Sequence, residues 1–177
     1  MMKILTKTNK ETRINDEIKV LNIIEQQAKK SISEIAKKCG FSNQKVARII
    51  KDLEKNKIIW GYSAITDGEA KKLKHYMLLV KRSMVPLDAA MQNEVIFEKL
   101  DEYIPNLKID DIFITHEKFN TVITFYAPDL ITAKGFVQEM FRRVEKYVKD
   151  YVLLEILFPI RKNGQKNPQI KKLVEYI

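Results

Sequence analysis

The sequence predicts an α+β chain in two parts: a helical first third, then an antiparallel sheet domain of strand-helix-strand-strand-helix-strand order. Three observations carry this prediction. Apolar residues recur at steps of three and four in the first part and crowd into strand-like segments in the second. The order of the later segments is the split ferredoxin-like βαββαβ arrangement. Charge divides at the same place: residues 1–62 hold 14 Lys/Arg against 7 Asp/Glu, residues 63–160 hold 13 against 15, and the last 17 residues add a net +4.

The elements follow in order. Ile14, Ile18, Leu21, Ile24 and Ala28 make one face of an amphipathic helix, with Lys29 and Lys30 in its last turn. Ser31 or Ser33 can cap a second helix whose stripe is Ile32, Ile35, Ala36 and Cys39, stopped by Gly40. Ser42 caps a third, with Val46, Ile49, Ile50 and Leu53 facing inward. "KIIWGYSAI" is β-branched and aromatic, so a short strand or wing is expected after it. Strands are expected at 75–83, 108–115, 121–127 and 151–158, with helices over 87–104 and 128–148. The boundaries expected are a winged helix-turn-helix at 1–62, a polar linker at 63–74, the ferredoxin-like domain at 75–160 and a helical tail at 161–177. In that tail Asn167 would cap and Pro168 would open the helix. Several strands are apolar at nearly every position, which argues burial on both faces of the sheet. Two helices cover one face, so the other is expected to meet a second copy, making a homodimer.

Ala36, Gly40 and Val46 have the spacing of a helix-turn-helix. The small residue admits the crossing helix, glycine takes the positive φ of the turn, and the aliphatic residue fills the gap between helices. On a wheel of ~100° per residue, Gln44, Arg48, Lys51 and Lys55 lie opposite the inner face, with Asn43 and Lys45 on the flanks. Arginine reads guanine, an amide reads adenine, and lysine neutralises phosphate. Double-stranded DNA is therefore the expected partner, with Gln44, Lys45 and Arg48 toward base edges and Ser42, Asn43, Lys51 and Lys55 toward phosphates. A solvated charged face is the plainer alternative, but only Asp52 and Glu54 interrupt the positive sign.

The stretch "FSNQKVARIIKDLEKNKIIWGYSAI", followed by a linker and the βαββαβ order, resembles the leucine-responsive regulatory protein/AsnC family of transcription regulators. Ser42, Val46, Ile50, Leu53–Glu54 and "IIWGY" at 58–62 carry the likeness, which spans roughly residues 14–160. The resemblance implies dimers built by the second domain, often assembled further, and a small effector such as an amino acid. There are departures. The family's common arginine before the third-helix aliphatic falls at Ile49, with Arg48 one place earlier. The glycine usual before "II" is Lys57, which leaves Asn56 to take the strained turn conformation. The turn that holds the family's effector is "HEKFN" here, so His116, Glu117, Phe119 and Asn120 are the candidate effector residues. Glu117 stands where glycine would, and its bulk and charge oppose an amino acid's own carboxylate.

Other chemistry is sparse. One cysteine, Cys39, leaves no internal disulfide and no Cys-pair zinc site, and points to a reducing cytoplasm. No apolar run reaches the ~18 residues of a membrane span, no signal peptide is read at the start, and no cofactor is expected. Asp110 and Asp111 point to opposite faces of a strand, against joint acid/base work. Siroheme-decarboxylating enzymes share this two-domain architecture, and "HEKFN" echoes their histidine region faintly, one residue out of register. The expected protein is thus not an enzyme. Beside a sequence-specific regulator stand two alternatives: an architectural protein that compacts DNA without strong sequence preference, and a siroheme-decarboxylase-like enzyme of the same architecture.

Overall fold

The computed structural model describes residues 2–86, 88 and 107–177. In chain order its elements are α1 (Met2–Gln26), α2 (Ile32–Cys39), α3 (Asn43–Lys55), β1 (Lys74–Arg82), β2 (Lys108–Ile114), β3 (Thr121–Ala127), α4 (Leu130–Val144), β4 (Val148–Ile156), and the two-residue strands β5 (Arg161–Lys162) and β6 (Gln165–Lys166). They form two compact units. One comprises Met1–Ile65 with Arg161–Lys166, the other Thr66–Ile160 with Asn167–Ile177. The helix expected over 87–104 lies outside the described residues. Among the described residues, no helix is long and apolar enough to cross a membrane.

The first unit packs α1, α2 and α3 around Val20, Ile24, Ile35, Ala36, Val46, Ile49 and Leu53. The inner face of α3 is the one expected, and so is that of α2 apart from Ile32, which is 43% exposed, but that of α1 is rotated. Val20 is fully buried, whereas Ile14 and Ile18 are 46% and 47% exposed. The reason is which side of α1 meets α3: Asp16, 2.7 Å from Lys45 of α3, lies on the same side as Val20 and Ile24, and at ~100° per residue Ile14 and Ile18 fall away from it.

Local chemistry sets the helix ends. Ser31 and Glu34 form a reciprocal capping box: Ser31 Oγ accepts from Glu34 N–H at 3.3 Å, and Glu34 Oε2 accepts from Ser31 N–H at 2.9 Å. Gly40 closes α2 in the left-handed conformation (φ 69°), and Phe41 N–H returns to Ala36 O at 2.9 Å. At the end of α3, Lys57 itself takes the left-handed conformation (φ 59°), while Asn56 stays at φ −83°. The strained residue is therefore Lys57 rather than Asn56. The bonds Ile58 N–H to Leu53 O and Lys57 N–H to Glu54 O close the last turn, and that pattern requires the left-handed residue two places after Lys55. The segment 58–65 forms no strand, so the short strand or wing expected after α3 has no ladder partners among the described residues.

The second unit is a four-stranded antiparallel sheet of order β2-β3-β1-β4, the ferredoxin-like arrangement. Tyr76, Leu78 and Val80 of β1 and Ile123, Phe125 and Ala127 of β3 face α4, where Ala133, Phe136, Val137 and Met140 close the core. Asp129 caps α4, its carboxylate accepting Thr132 N–H at 2.7 Å. The other face of the sheet carries Met77, Leu79, Val122, Phe113, Val152 and Leu154, with Leu79 opposite both Val122 and Val152, and Met77 opposite Leu154. Leu154 and Phe113 there are 45% and 51% exposed. After β4 the tail forms a tight β5–β6 hairpin and a 3-10 turn over Ile170–Glu175, instead of the expected α-helix.

Candidate nucleic-acid interface

The helix-turn-helix pair puts α3 with Val46, Ile49 and Leu53 buried and Asn43, Gln44, Arg48, Lys51 and Lys55 exposed. The register explains the displaced arginine. Ile49, at the position where the family's arginine falls, is 7% exposed and belongs to the core, so only its neighbour Arg48 can face outward. Arg48, Lys51 and Lys55 have no salt-bridge partner among the described residues, and their charge is open to an outside anion.

The two carboxylates of α3 are engaged elsewhere. Asp52 lies 3.2 Å from Arg13 of α1, which also pairs with Glu17 at 2.9 Å. Glu54 accepts the Tyr62 hydroxyl at 2.9 Å. Burial first, and then this bond to Glu54, pushes the Tyr62 phenol above its ordinary value. Arg13 and Tyr62 thus hold the acids that interrupt the positive sign of the helix. Sequence reading missed both, because neither is a neighbour of its partner along the chain.

Two expected DNA-facing residues are placed differently from the rest. Lys45 turns back: its Nζ is 2.7 Å from Asp16 of α1 and 3.9 Å from the Phe41 ring centroid. It ties α3 to α1 and would have to leave that pair to reach a base. Ser42 is the N-cap of α3, its Oγ accepting Lys45 N–H at 3.2 Å, so its first duty is the helix terminus.

The unit that holds this surface carries 17 Lys/Arg against 7 Asp/Glu, a net +10, and the sheet unit carries 15 against 16, a net −1. All of the net positive charge therefore sits with the helix-turn-helix.

The candidate effector residues form the β2–β3 turn. His116 and Glu117 are 92% and 81% exposed in their side chains, 3.3 Å apart, and Glu117 adopts φ 80°. Asn120 is used by the backbone: its Oδ1 accepts Arg82 N–H at 2.9 Å, and its own N–H donates to Val80 O at 2.8 Å. Phe119 O accepts the Thr115 hydroxyl at 2.7 Å. Asn120 and the Phe119 carbonyl thus shape the turn, while His116 and Glu117 project from it. No cluster of three metal-ligating side chains occurs among the described residues.

Comparison with known proteins agrees with this geometry. Residues 17–59 match a family described as winged helix-turn-helix DNA-binding. Similar solved structures include an AsnC family transcriptional regulator from Agrobacterium tumefaciens (16% identity, TM-score 0.63, 87% of this chain and 96% of that one). A Mycobacterium tuberculosis leucine response regulatory protein is similar as well (19%, TM-score 0.65, 86% and 97%). So is a Neisseria meningitidis transcriptional regulator solved in complex with L-Met (17%, TM-score 0.62, 83% and 91%). At these identities the likeness is one of fold, and it extends over both units. No curated protein matches the chain by sequence.

Proposed function

We propose that this chain is a sequence-specific, DNA-binding transcription regulator of the leucine-responsive/AsnC type, which reads duplex DNA with the outward stripe of α3 and assembles through the open face of its sheet. One observation carries the reading: Gln44, Arg48, Lys51 and Lys55 stand exposed on a helix whose opposite side is locked into the core, in the unit that holds all of the net positive charge. Arg48 and Gln44 are the base-reading residues; Asn43, Lys51, Lys55 and the Ser42 hydroxyl serve phosphates. Lys45 belongs to this surface only if its pair with Asp16 opens.

The test is genomic footprinting of bound sites, followed by gel-shift titration of the preferred site. Arg48→Ala should weaken that site by ~1–3 kcal/mol and relax its sequence preference. An unchanged titration would show that α3 does not read through Arg48. The net +10 of the unit favours one second reading, non-specific DNA compaction. Under it, specific and random duplexes would lose affinity with the same salt slope, about −0.9 for each phosphate neutralised.

Assembly is supported by the exposed apolar residues of β2 and β4, which continue the apolar strips of β1 and β3. The occupant is a second copy of the chain. An effector at the β2–β3 turn would meet the His116–Glu117 pair. Glu117 disfavours a carboxylate ligand there by charge, so an α-amino acid should leave the melting temperature unchanged where a cationic ligand raises it.

A further inference from the structure

We infer that the β5–β6 hairpin, Arg161–Lys166, is a second DNA-contacting element, a substitute wing supplied to the helix-turn-helix unit by the far end of the chain. The inference rests on the DNA-binding reading and deepens it.

The hairpin belongs to the first unit, although the residues before and after it belong to the second. Gln165 Nε2 donates to Gln26 O at the end of α1, at 2.9 Å. Asn163 and Gln165 line a cleft of about 770 Å³ whose other walls include Lys29, Lys30, Trp60 and Tyr62. The hairpin therefore stands beside the turn that enters α2, the helix that in this motif crosses the DNA backbone. It stands also beside 58–65, the segment that follows α3 where a wing is expected and that makes no strand of its own.

Its chemistry points to a polyanion. Six residues, RKNGQK, contain three cations and no carboxylate. Asn163 and Gly164 both take positive φ (45° and 75°), the conformation of a tight two-residue hairpin turn, so the strands are held in fixed register. That register sets Arg161 directly opposite Lys166. Like charges directly opposite on paired strands repel, and a phosphate backbone relieves that repulsion. Arg161 also donates to Gly164 O at 2.9 Å, which holds its guanidinium at the turn. Trp60, the chain's one tryptophan, is 94% exposed on the cleft rim, a large apolar group left in water on a strongly basic unit.

The experiment measures log Kd against log salt for the full chain on a duplex of roughly 30 base pairs and mixed sequence, long enough for about three helical turns. Arg161→Gln with Lys166→Gln should reduce the slope by about 1.8, since each of the two phosphates left without its cation accounts for about 0.9. The parent then loses about twelvefold more affinity than the variant between roughly 50 and 200 mM salt. Lys171→Gln with Lys172→Gln, in the other unit, should leave the slope unchanged. Because glutamines can loosen the hairpin, the charge-keeping pair Arg161→Lys, Lys166→Arg serves as a control and should retain the parental slope. Duplex should also shield Trp60 from acrylamide quenching. If the glutamine pair keeps the parental slope, or saturating duplex leaves Trp60 fully quenchable, the hairpin does not meet DNA and the α3 reading stands alone. If the parent binds no duplex at all, the DNA reading itself fails.

Discussion

Leu154→Asp tests the assembly face most directly. Leu154 lies on β4 across from Met77, on the side of the sheet away from α4, and is 45% exposed in the single chain. Burying a leucine completely is worth ~1.5–3 kcal/mol, so the half still in water offers about 1 kcal/mol when a second copy covers it. A two-fold dimer contains the residue twice, which makes about 2 kcal/mol forfeited on truncation. Aspartate adds the cost of desolvating a carboxylate among apolar neighbours, at least ~2 kcal/mol further for the pair. The dimer should therefore weaken by about 4 kcal/mol, on the order of a thousandfold in Kd. In the isolated chain the side chain is half in water, and strand propensity limits the penalty to about 1 kcal/mol. Sedimentation equilibrium at micromolar concentration reads the mass, and circular dichroism confirms the fold. Equal masses for parent and folded variant would remove the open face from the assembly, and a monomeric parent would remove the assembly altogether.

Other predictions concern the backbone, the caps and Lys45. Gly40→Ala should lower stability by about 1 kcal/mol, because alanine at φ 69° is strained although the space around it is open. Lys57→Gly should raise stability by up to ~1 kcal/mol by removing a side chain from the left-handed region; a decrease measured by urea unfolding would contradict the strain argument. The Glu34 carboxyl is held below its ordinary 4.5 first by Ser31 N–H and then by the Ser31 hydroxyl, and Asp129 is held below 3.8 by Thr132 N–H first. Each is more acidic folded than unfolded, so its contribution is complete above the ordinary value and disappears as pH falls below it. Melting temperature should therefore drop between about pH 5 and 3, and less steeply in Glu34→Gln or Asp129→Asn; parallel curves would show that the caps do not titrate this way. Lys45→Ala should cost up to ~1 kcal/mol of stability through its partly exposed pair with Asp16, with little change in affinity for DNA. A drop in affinity as large as that of Arg48→Ala would instead return Lys45 to the reading surface.

Much of this architecture is legible in the sequence. Val46, Ile49 and Leu53 reveal the inner side of α3 because a 3.6-residue period needs no tertiary information. The four strands are readable because apolar, β-branched runs have few other uses. The errors fall where long-range pairing decides. Ile14 and Ile18 have a helical period, yet α1 turns the side of Arg13, Asp16 and Val20 to α3, where the pairs with Asp52 and Lys45 form, and leaves both isoleucines exposed. The tail has the cap and period of a helix, yet it forms a hairpin and a 3-10 turn. Lys57 rather than Asn56 takes the left-handed turn because the hydrogen bonds that close α3 require it at that place.

By itself the sequence determined the local choices: the Ser31 and Ser42 caps that start α2 and α3, the Gly40 that stops α2, which side of α3 is inward, and that the positive charge gathers at the chain's two ends. Those rest on propensity, period and composition, all local or additive. The tertiary structure alone decided which charges remain available. It paired Asp52 with Arg13 and Glu54 with Tyr62, withdrew Lys45 to Asp16, and placed Arg161 and Lys166 in the helix-turn-helix unit. An ion pair depends on distance in space, and residues 39 apart in the chain, as Arg13 and Asp52 are, meet only once the helices have packed.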